Sequence, residues 1–388
     1  MAGGSIYLDH AATTPVHPEV TAAMEVAQRE GFANPSSLHA AGRRAKLLLE
    51  DARERIVAAL GGRPTGPGRD RLVFTSGATE ANRLAILGLA AGSPGRAVFV
   101  SARDHSSVRL AARELADRGW TLVDQPLTAA GSLRDTGALP SGGGVLAGTL
   151  VCGQTGVRDD LAGLRDRPGR PTGLAVHVDA TQAIAFDAPR FEDLPVESLA
   201  CAAHKIGGPR GIGALVVRPD LRLAPLQPGP QESGLRGGTE PVALAVGFAR
   251  ACELAVADRR ADAERIAALR ARLEAGAAAA WPDAVVVGRS ADRAPHIATI
   301  AFPGCDRQAL VMAADLEGLC CSTGTACASG SGEPAPALVA AGLPAEIVRS
   351  AVRFSLGRGT TATDIDDAVT ILQRILSRGR PTGRGGSP

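Results

Sequence analysis

The sequence predicts an α/β protein: a large domain with a mostly parallel sheet flanked by helices, plus a smaller α+β domain. Three observations predict it. From about residue 70 to 220, short apolar runs alternate with stretches whose apolar residues recur at helical spacing. From roughly 280 to 376, strand-like runs mix with a single strong helix. At 388 residues the chain also exceeds what one core usually organises. The expected boundaries are 16–250 for the large domain and 1–15 with 251–378 for the small one. Residues 379–388 read as a tail disordered by composition.

The elements follow in order. "RLVFTSG" reads as a strand ending in a turn, and "TEANRLAILGLAA" as the helix after it. "RAVFVSA" is the next strand and "HSSVRLAARELADRG" the next helix. Strands are then expected at "WTLVDQPL", "GGVLAGTLVCGQTG", "LAVHVDATQ", "SLACAAHK" and "GIGALVVRPD". "VALAVGFARACELAVADRRADAERIAALRARLEAGAAAAW" reads as one or two long amphipathic helices. The small domain takes "IATIAFPG" and "SAVRFSLG" as strands and "DIDDAVTILQRIL" as a helix.

Composition narrows the function. A net charge of +2 and 3% aromatic residues argue against nucleic acid or a membrane surface as partner. No apolar run is long enough to span a bilayer, and "MAGGSIYLDHAATT" lacks the pattern of a signal peptide. Seven cysteines without a CxxC pair suit a reducing cytoplasm, and no histidine or cysteine spacing suggests a metal site.

Only two of the basic residues are lysines, and one of them, Lys205, sits where an apolar strand runs into "HKIGGPRGIG". A lysine desolvated among apolar strands holds its proton weakly and becomes a nucleophile toward aldehydes. The aldehyde this suggests is pyridoxal 5'-phosphate, whose protein partners are a Schiff-base lysine and an acid for the pyridine nitrogen. Asp179, ending the apolar strand of "AVHVDATQA", supplies that acid from an adjacent strand. Either residue alone reads equally well as a capping aspartate or a snorkelling lysine; the pair in this context favours the cofactor. Gly77, Ala78 and Thr79 open a helix directly after a strand, where free N–H groups attract an anion. His105 in "SARDHSSV" can lie against a planar ring at the sheet's edge or simply cap its helix.

Taken together, "YLDHAATTP", "NPSSLHAAG", "FTSGATEAN", "HVDATQA", "AHKIGGPRGIGAL", "QESGLRGGTEP", "GTACASG" and "VRFSLGR" resemble the cysteine desulfurases of the NifS/IscS type, within the class V aminotransferase group. The resemblance covers nearly the whole chain in order. It implies the fold-type-I pyridoxal-phosphate fold, with Lys205 as Schiff-base lysine, Asp179 as pyridinium partner and His105 stacked on the ring. It further implies that Gln182 meets the ring's phenolic oxygen, while Ala78, Thr79 and His204 hold the phosphate. Thr239 would reach the phosphate of a neighbouring subunit, making the protein a homodimer. Arg353 would clamp the carboxylate of L-cysteine, with Asn34 also at the substrate. Cys327 would carry the sulfur as a persulfide to an acceptor protein.

Three places depart from the family. Cys152, Gly153 and Gln154 stand where Asn-Asn-Glu is usual, Ala202 replaces a serine, and Pro228 and Pro230 interrupt a glycine run. Two other readings therefore stay open. One is a related C–S or selenocysteine lyase in which Cys327 is dispensable; the other is a non-catalytic scaffold. Cys320 and Cys321, after an apolar helix, are expected to be buried strand residues.

Overall fold

A computed structural model describes residues 5–134, 142–159, 173–187, 190–324 and 334–378. The chain begins with strand β1 (Ile6–Tyr7) and helices α1 (Pro18–Glu30) and α2 (Ala40–Ala59). The central sheet collects β2 (Arg71–Thr75), β3 (Ala97–Ser101), β4 (Thr121–Gln125), β5 (Gly144–Thr149), β6 (Leu174–Asp179), β7 (Ser198–Ala202) and β8 (Gly213–Val217). Helices α3 (Ala78–Gly92) and α4 (Ser106–Asp117) follow β2 and β3.

The strand order is β2-β8-β7-β6-β5-β3-β4, and every pairing is parallel except those of β8 with its two neighbours. Residues 203–212, which join β7 to β8, are too few for a parallel crossover, so β8 returns antiparallel. Six strands thus point one way, and their carboxyl ends line one edge. Alternate strand residues feed two faces. Val98, Val100, Val145 and Ala147 pack toward α3 and α4, whereas Phe74, Phe99, Val176 and Val216 join the core built with α2 and α5 (Val242–Ala257). Both faces are covered, which is why the strands read as apolar runs rather than alternating ones.

After α5 come α6 (Arg259–Ala280), β9 (Val285–Val286), β10 (Ile297–Ala301), α7 (Arg307–Leu316) and β11 (Leu319–Cys320). They are followed by α8 (Pro336–Ala340), α9 (Ala345–Ser350), β12 (Ala351–Ser355) and α10 (Ala362–Arg378). An antiparallel sheet of order β12-β10-β9 forms here, while β1 pairs in parallel with β11. Cys320 and Cys321 are half-buried rather than buried. β11 is only two residues long and pairs with an equally short strand, so it does not enclose them. The predicted tail, 379–388, lies outside the described residues.

Candidate active site

The turns after β2, β3, β6 and β7 converge at the carboxyl edge of the sheet, where open α/β sheets bind ligands. Together with the segment Asp9–Thr14 they enclose a cavity of about 640 Å³. Lys205, Asp179, Gln182, His105, Ala78, Thr79, His204 and Arg353 all line it.

Lys205 lies in a one-turn 3₁₀ helix, Ala203–Lys205, just past β7 and not inside the strand. Its Nζ donates to the carbonyls of Ala11 (2.6 Å) and Ala12 (2.8 Å). The turn is stitched to that segment. The Thr14 hydroxyl donates to the His204 carbonyl and accepts from Gly207 N, both at 2.8 Å. Gln182 Nε2 donates to the same Ala11 carbonyl at 2.9 Å, and its Oε1 lies 3.3 Å from His296 Nε2.

Asp179 is buried at the end of β6. Its Oδ1 accepts from Thr181 N at 2.9 Å and its Oδ2 from Asn82 Nδ2 at 2.8 Å. His105 is the N-cap of α4, its Nδ1 accepting from Ser107 N at 3.2 Å. Capping and facing the cavity are therefore one placement, not two readings. Burial and the Lys205 charge push the ring below the usual histidine range, against the pull of Asp179. The neighbouring Asp104 accepts from Ser101 N (2.6 Å) and Thr149 N (2.9 Å), clasping the ends of β3 and β5 behind His105.

The β2–α3 turn is the candidate anion cradle. α3 starts at Ala78 with Gly77 as N-cap and no side-chain cap, so its first N–H groups need partners from outside the helix. Glu80 braces the turn by accepting from Ser76 N (2.6 Å) and Arg236 Nε (2.8 Å). His204 and Arg210 line the same cavity, and burial together with Lys205 and Arg210 pushes His204 down to about 4. Gly213 explains why β8 can back this turn: a Cβ there would lie 2.6 Å from the Gly77 backbone.

Arg353 projects from β12. Its Nη2 donates to Asp9 Oδ1 and its Nη1 to the Gly153 carbonyl, both at 2.8 Å. A Cβ at Gly153 would meet only the Gln182 side chain, at 3.6 Å, so the position is open rather than forced to be glycine. Cys152 points away from the cavity into an apolar cluster with Val287, Ala301 and Leu338. Ala202 is buried at the end of β7.

Thr239 and Asn34 are not brought to this cavity. They line a separate surface groove with Phe32 and Pro241, and Asn34 Oδ1 there accepts from Ser36 N at 2.8 Å. Cys327 lies outside the described residues. Asn82, Ser107, His177, Asp9 and the Ala11 and Ala12 carbonyls were not singled out from sequence. His177 carried a signal: it stands two residues before Asp179 on one strand and so shares its face.

An amine, a buried carboxylate and an anion-binding turn around one cavity match the aldehyde, ring nitrogen and phosphate of pyridoxal phosphate, and the donor set fits that cofactor. Fold and site thus define a fold-type-I pyridoxal-phosphate enzyme. The chain belongs to the class-V aminotransferase family, whose profile matches residues 6–368. It is 32% identical to the cysteine desulfurase IscS of Dictyoglomus turgidum, covering 96% of this chain and 95% of that one. It is 37% identical to the cysteine desulfurase IscS of Methylococcus capsulatus, over 96% and 93%. A solved NifS-like protein superposes with a TM-score of 0.89 at 27% identity, over 97% of this chain and all of that one.

Proposed function

We propose that this protein is a cysteine desulfurase, converting L-cysteine to L-alanine and passing the sulfur through Cys327 to an acceptor protein. The observation that carries the reading is the convergence of Lys205, Asp179 and the Ser76–Thr79 turn on a cavity whose rim includes Gly324 and Pro334. Those two residues flank the stretch containing Cys327.

When bound, pyridoxal phosphate supplies an electron sink for a carbanion at the substrate's Cα. The chain's residues do the rest. Lys205 offers the amine that meets the cofactor's aldehyde, and the Ala11 and Ala12 carbonyls hold that amine in place. Asp179 would pair with the ring nitrogen. The Ser76–Thr79 turn with His204 would hold the phosphate. His105 at the cavity wall would assist proton movement at the reacting carbon. Arg353 receives the substrate carboxylate with its two-pronged guanidinium. The Cys327 thiolate attacks the substrate sulfur. The C–S bond breaks with its electron pair on carbon, carbon takes a proton, and the sulfur remains on Cys327 as a persulfide.

Thr239 and Asn34 support a second copy as partner. They sit apart from their own chain's cavity, in a groove beside Phe32, which is 74% exposed. A homodimer would cover that groove and bring Thr239 toward the other copy's phosphate.

The test is incubation with L-cysteine. Alanine should form, and the Cys327 peptide should gain one sulfur atom by mass. Alanine or sulfide formed by Cys327→Ala at the wild-type rate would favour the lyase reading. A colourless protein that takes up no pyridoxal phosphate would favour the scaffold.

A further inference from the structure

Behind the cavity, buried polar side chains that the chemistry above does not use join Asp179 to His105. Their centre is Asn82 on α3, fully buried over the face of β6 that carries His177 and Asp179. Asn82 Oδ1 lies 2.9 Å from His177 Nε2, and His177 Nδ1 lies 2.9 Å from Ser198 Oγ. Asn82 Nδ2 donates both its hydrogens, to Asp179 Oδ2 at 2.8 Å and to Ser107 Oγ at 2.9 Å. Ser107 Oγ in turn lies 2.8 Å from His105 Nδ1.

Hydrogen-bond chemistry fixes the direction of every link. The reversed amide would set its oxygen against the Asp179 carboxylate, so the nitrogen faces that way and the oxygen faces His177. An amide oxygen only accepts, so His177 donates from Nε2. Burial pushes His177 down to about 4, so the ring is neutral near pH 7 and its Nδ1 accepts from the Ser198 hydroxyl. Ser107 accepts from Asn82 and passes its own hydrogen on to His105 Nδ1. That nitrogen also accepts from Ser107 N, so it carries no hydrogen and the neutral ring keeps its hydrogen on Nε2.

We propose that Asn82 is a positioning residue that couples Asp179 to His105. One amide sets the rotation of the carboxylate and the tautomer of the imidazole, and His177 sets the amide. The two groups this chain presents to the cofactor's ring are thereby ordered by a single side chain that lies behind both. The proposal rests on the pyridoxal-phosphate reading of the cavity.

Two variants separate its arms: Asn82→Leu removes both, and Ser107→Ala removes only the link to His105. Each protein is labelled with 15N-histidine, and its dissociation constant for pyridoxal phosphate is measured. In the wild type, His105 should show an unprotonated Nδ1. Ser107→Ala should shift the His105 nitrogens toward tautomer averaging while leaving the dissociation constant within threefold. Asn82→Leu should shift the same signals and raise the dissociation constant about tenfold or more, the effect of losing one hydrogen bond to a charged group. A folded Asn82→Leu protein with wild-type affinity and wild-type His105 signals overturns the proposal. Should that variant not fold, unchanged His105 nitrogens in Ser107→Ala overturn it instead. Borohydride reduction separates the two levels. If wild-type Lys205 takes no label, the cofactor reading fails; if it is labelled while the variants behave as wild type, only the coupling fails.

Discussion

Arg353 and Asp9 form an ion pair at 2.8 Å, with side chains only 5% and 20% exposed, between residues 344 positions apart in sequence. The carboxylate and the Gly153 carbonyl hold the guanidinium at the cavity wall, each taking one of the two hydrogens on its Nη. Replacement by a point charge should keep the pairing but lose the fork. Arg353→Lys is expected to raise KM for L-cysteine about ten- to a hundredfold with a smaller change in kcat, measured by steady-state alanine formation. An unchanged KM would remove Arg353 from substrate binding.

Gly213 sits against the backbone of the anion turn. Gly213→Ala forces β8 away from Gly77 and should cost about 1–3 kcal/mol of stability. Because the displaced atoms belong to the cradle, affinity for pyridoxal phosphate should drop along with the melting temperature. Calorimetry with a cofactor titration checks both, and a stable variant with intact affinity would show that the turn is not held from behind.

Stability should fall on mild acidification. Burial pushes His177 down to about 4 and His296 down to about 3, from an ordinary value of 6.5. Between these limits the unfolded chain binds more protons than the folded one. Stability is therefore full above about pH 6.5 and declines below it, by up to about 1.4 kcal/mol per pH unit for each ring. Asp104 has the opposite sign: burial raises it from 3.8 to about 6, so it binds its proton more tightly when folded and offsets about one ring over that range. The urea midpoint of the cofactor-free protein should drop between pH 6.5 and 5. A midpoint that rises over that range contradicts the assignment of these rings as neutral.

Cys201 stands four residues before Lys205, yet burial pushes its thiol up to about 12, and Cys321 is pushed equally high. Neither forms thiolate near neutral pH. Brief alkylation of the folded protein at pH 8 should therefore spare Cys201 and Cys321, read by peptide mass mapping. Rapid labelling of Cys201 would mean that the sheet opens there.

Much of the site was legible in sequence because its groups stand at strand ends. A lysine after an apolar strand, an aspartate closing its neighbour and a strand–glycine–helix turn are each ambiguous alone, and only their combination points to one site. The remainder was hidden for physical reasons. Asn82 meets His177 across 95 residues and Ser107 across 25, and only the packing of α3 against β6 and α4 joins them. In sequence Asn82 is one polar residue in an apolar helix. The Ala11 and Ala12 carbonyls that hold Lys205 belong to the backbone, so no side-chain pattern could mark them. Gly153 was visible as a departure, but its openness toward Gln182 depends on the fold.

The segment Asp9–Thr14 also bears on the order of biosynthesis. It is pinned from the far end of the polypeptide: Arg353 grips Asp9, and Ala11 N donates to Ser355 Oγ at 2.8 Å. A chain that has been made only as far as β11 holds this segment through Thr14 and Gln182 but lacks the two bonds from Arg353 and Ser355. Vitamin capture should accordingly be weaker in products truncated before Arg353 than in chains that carry β12.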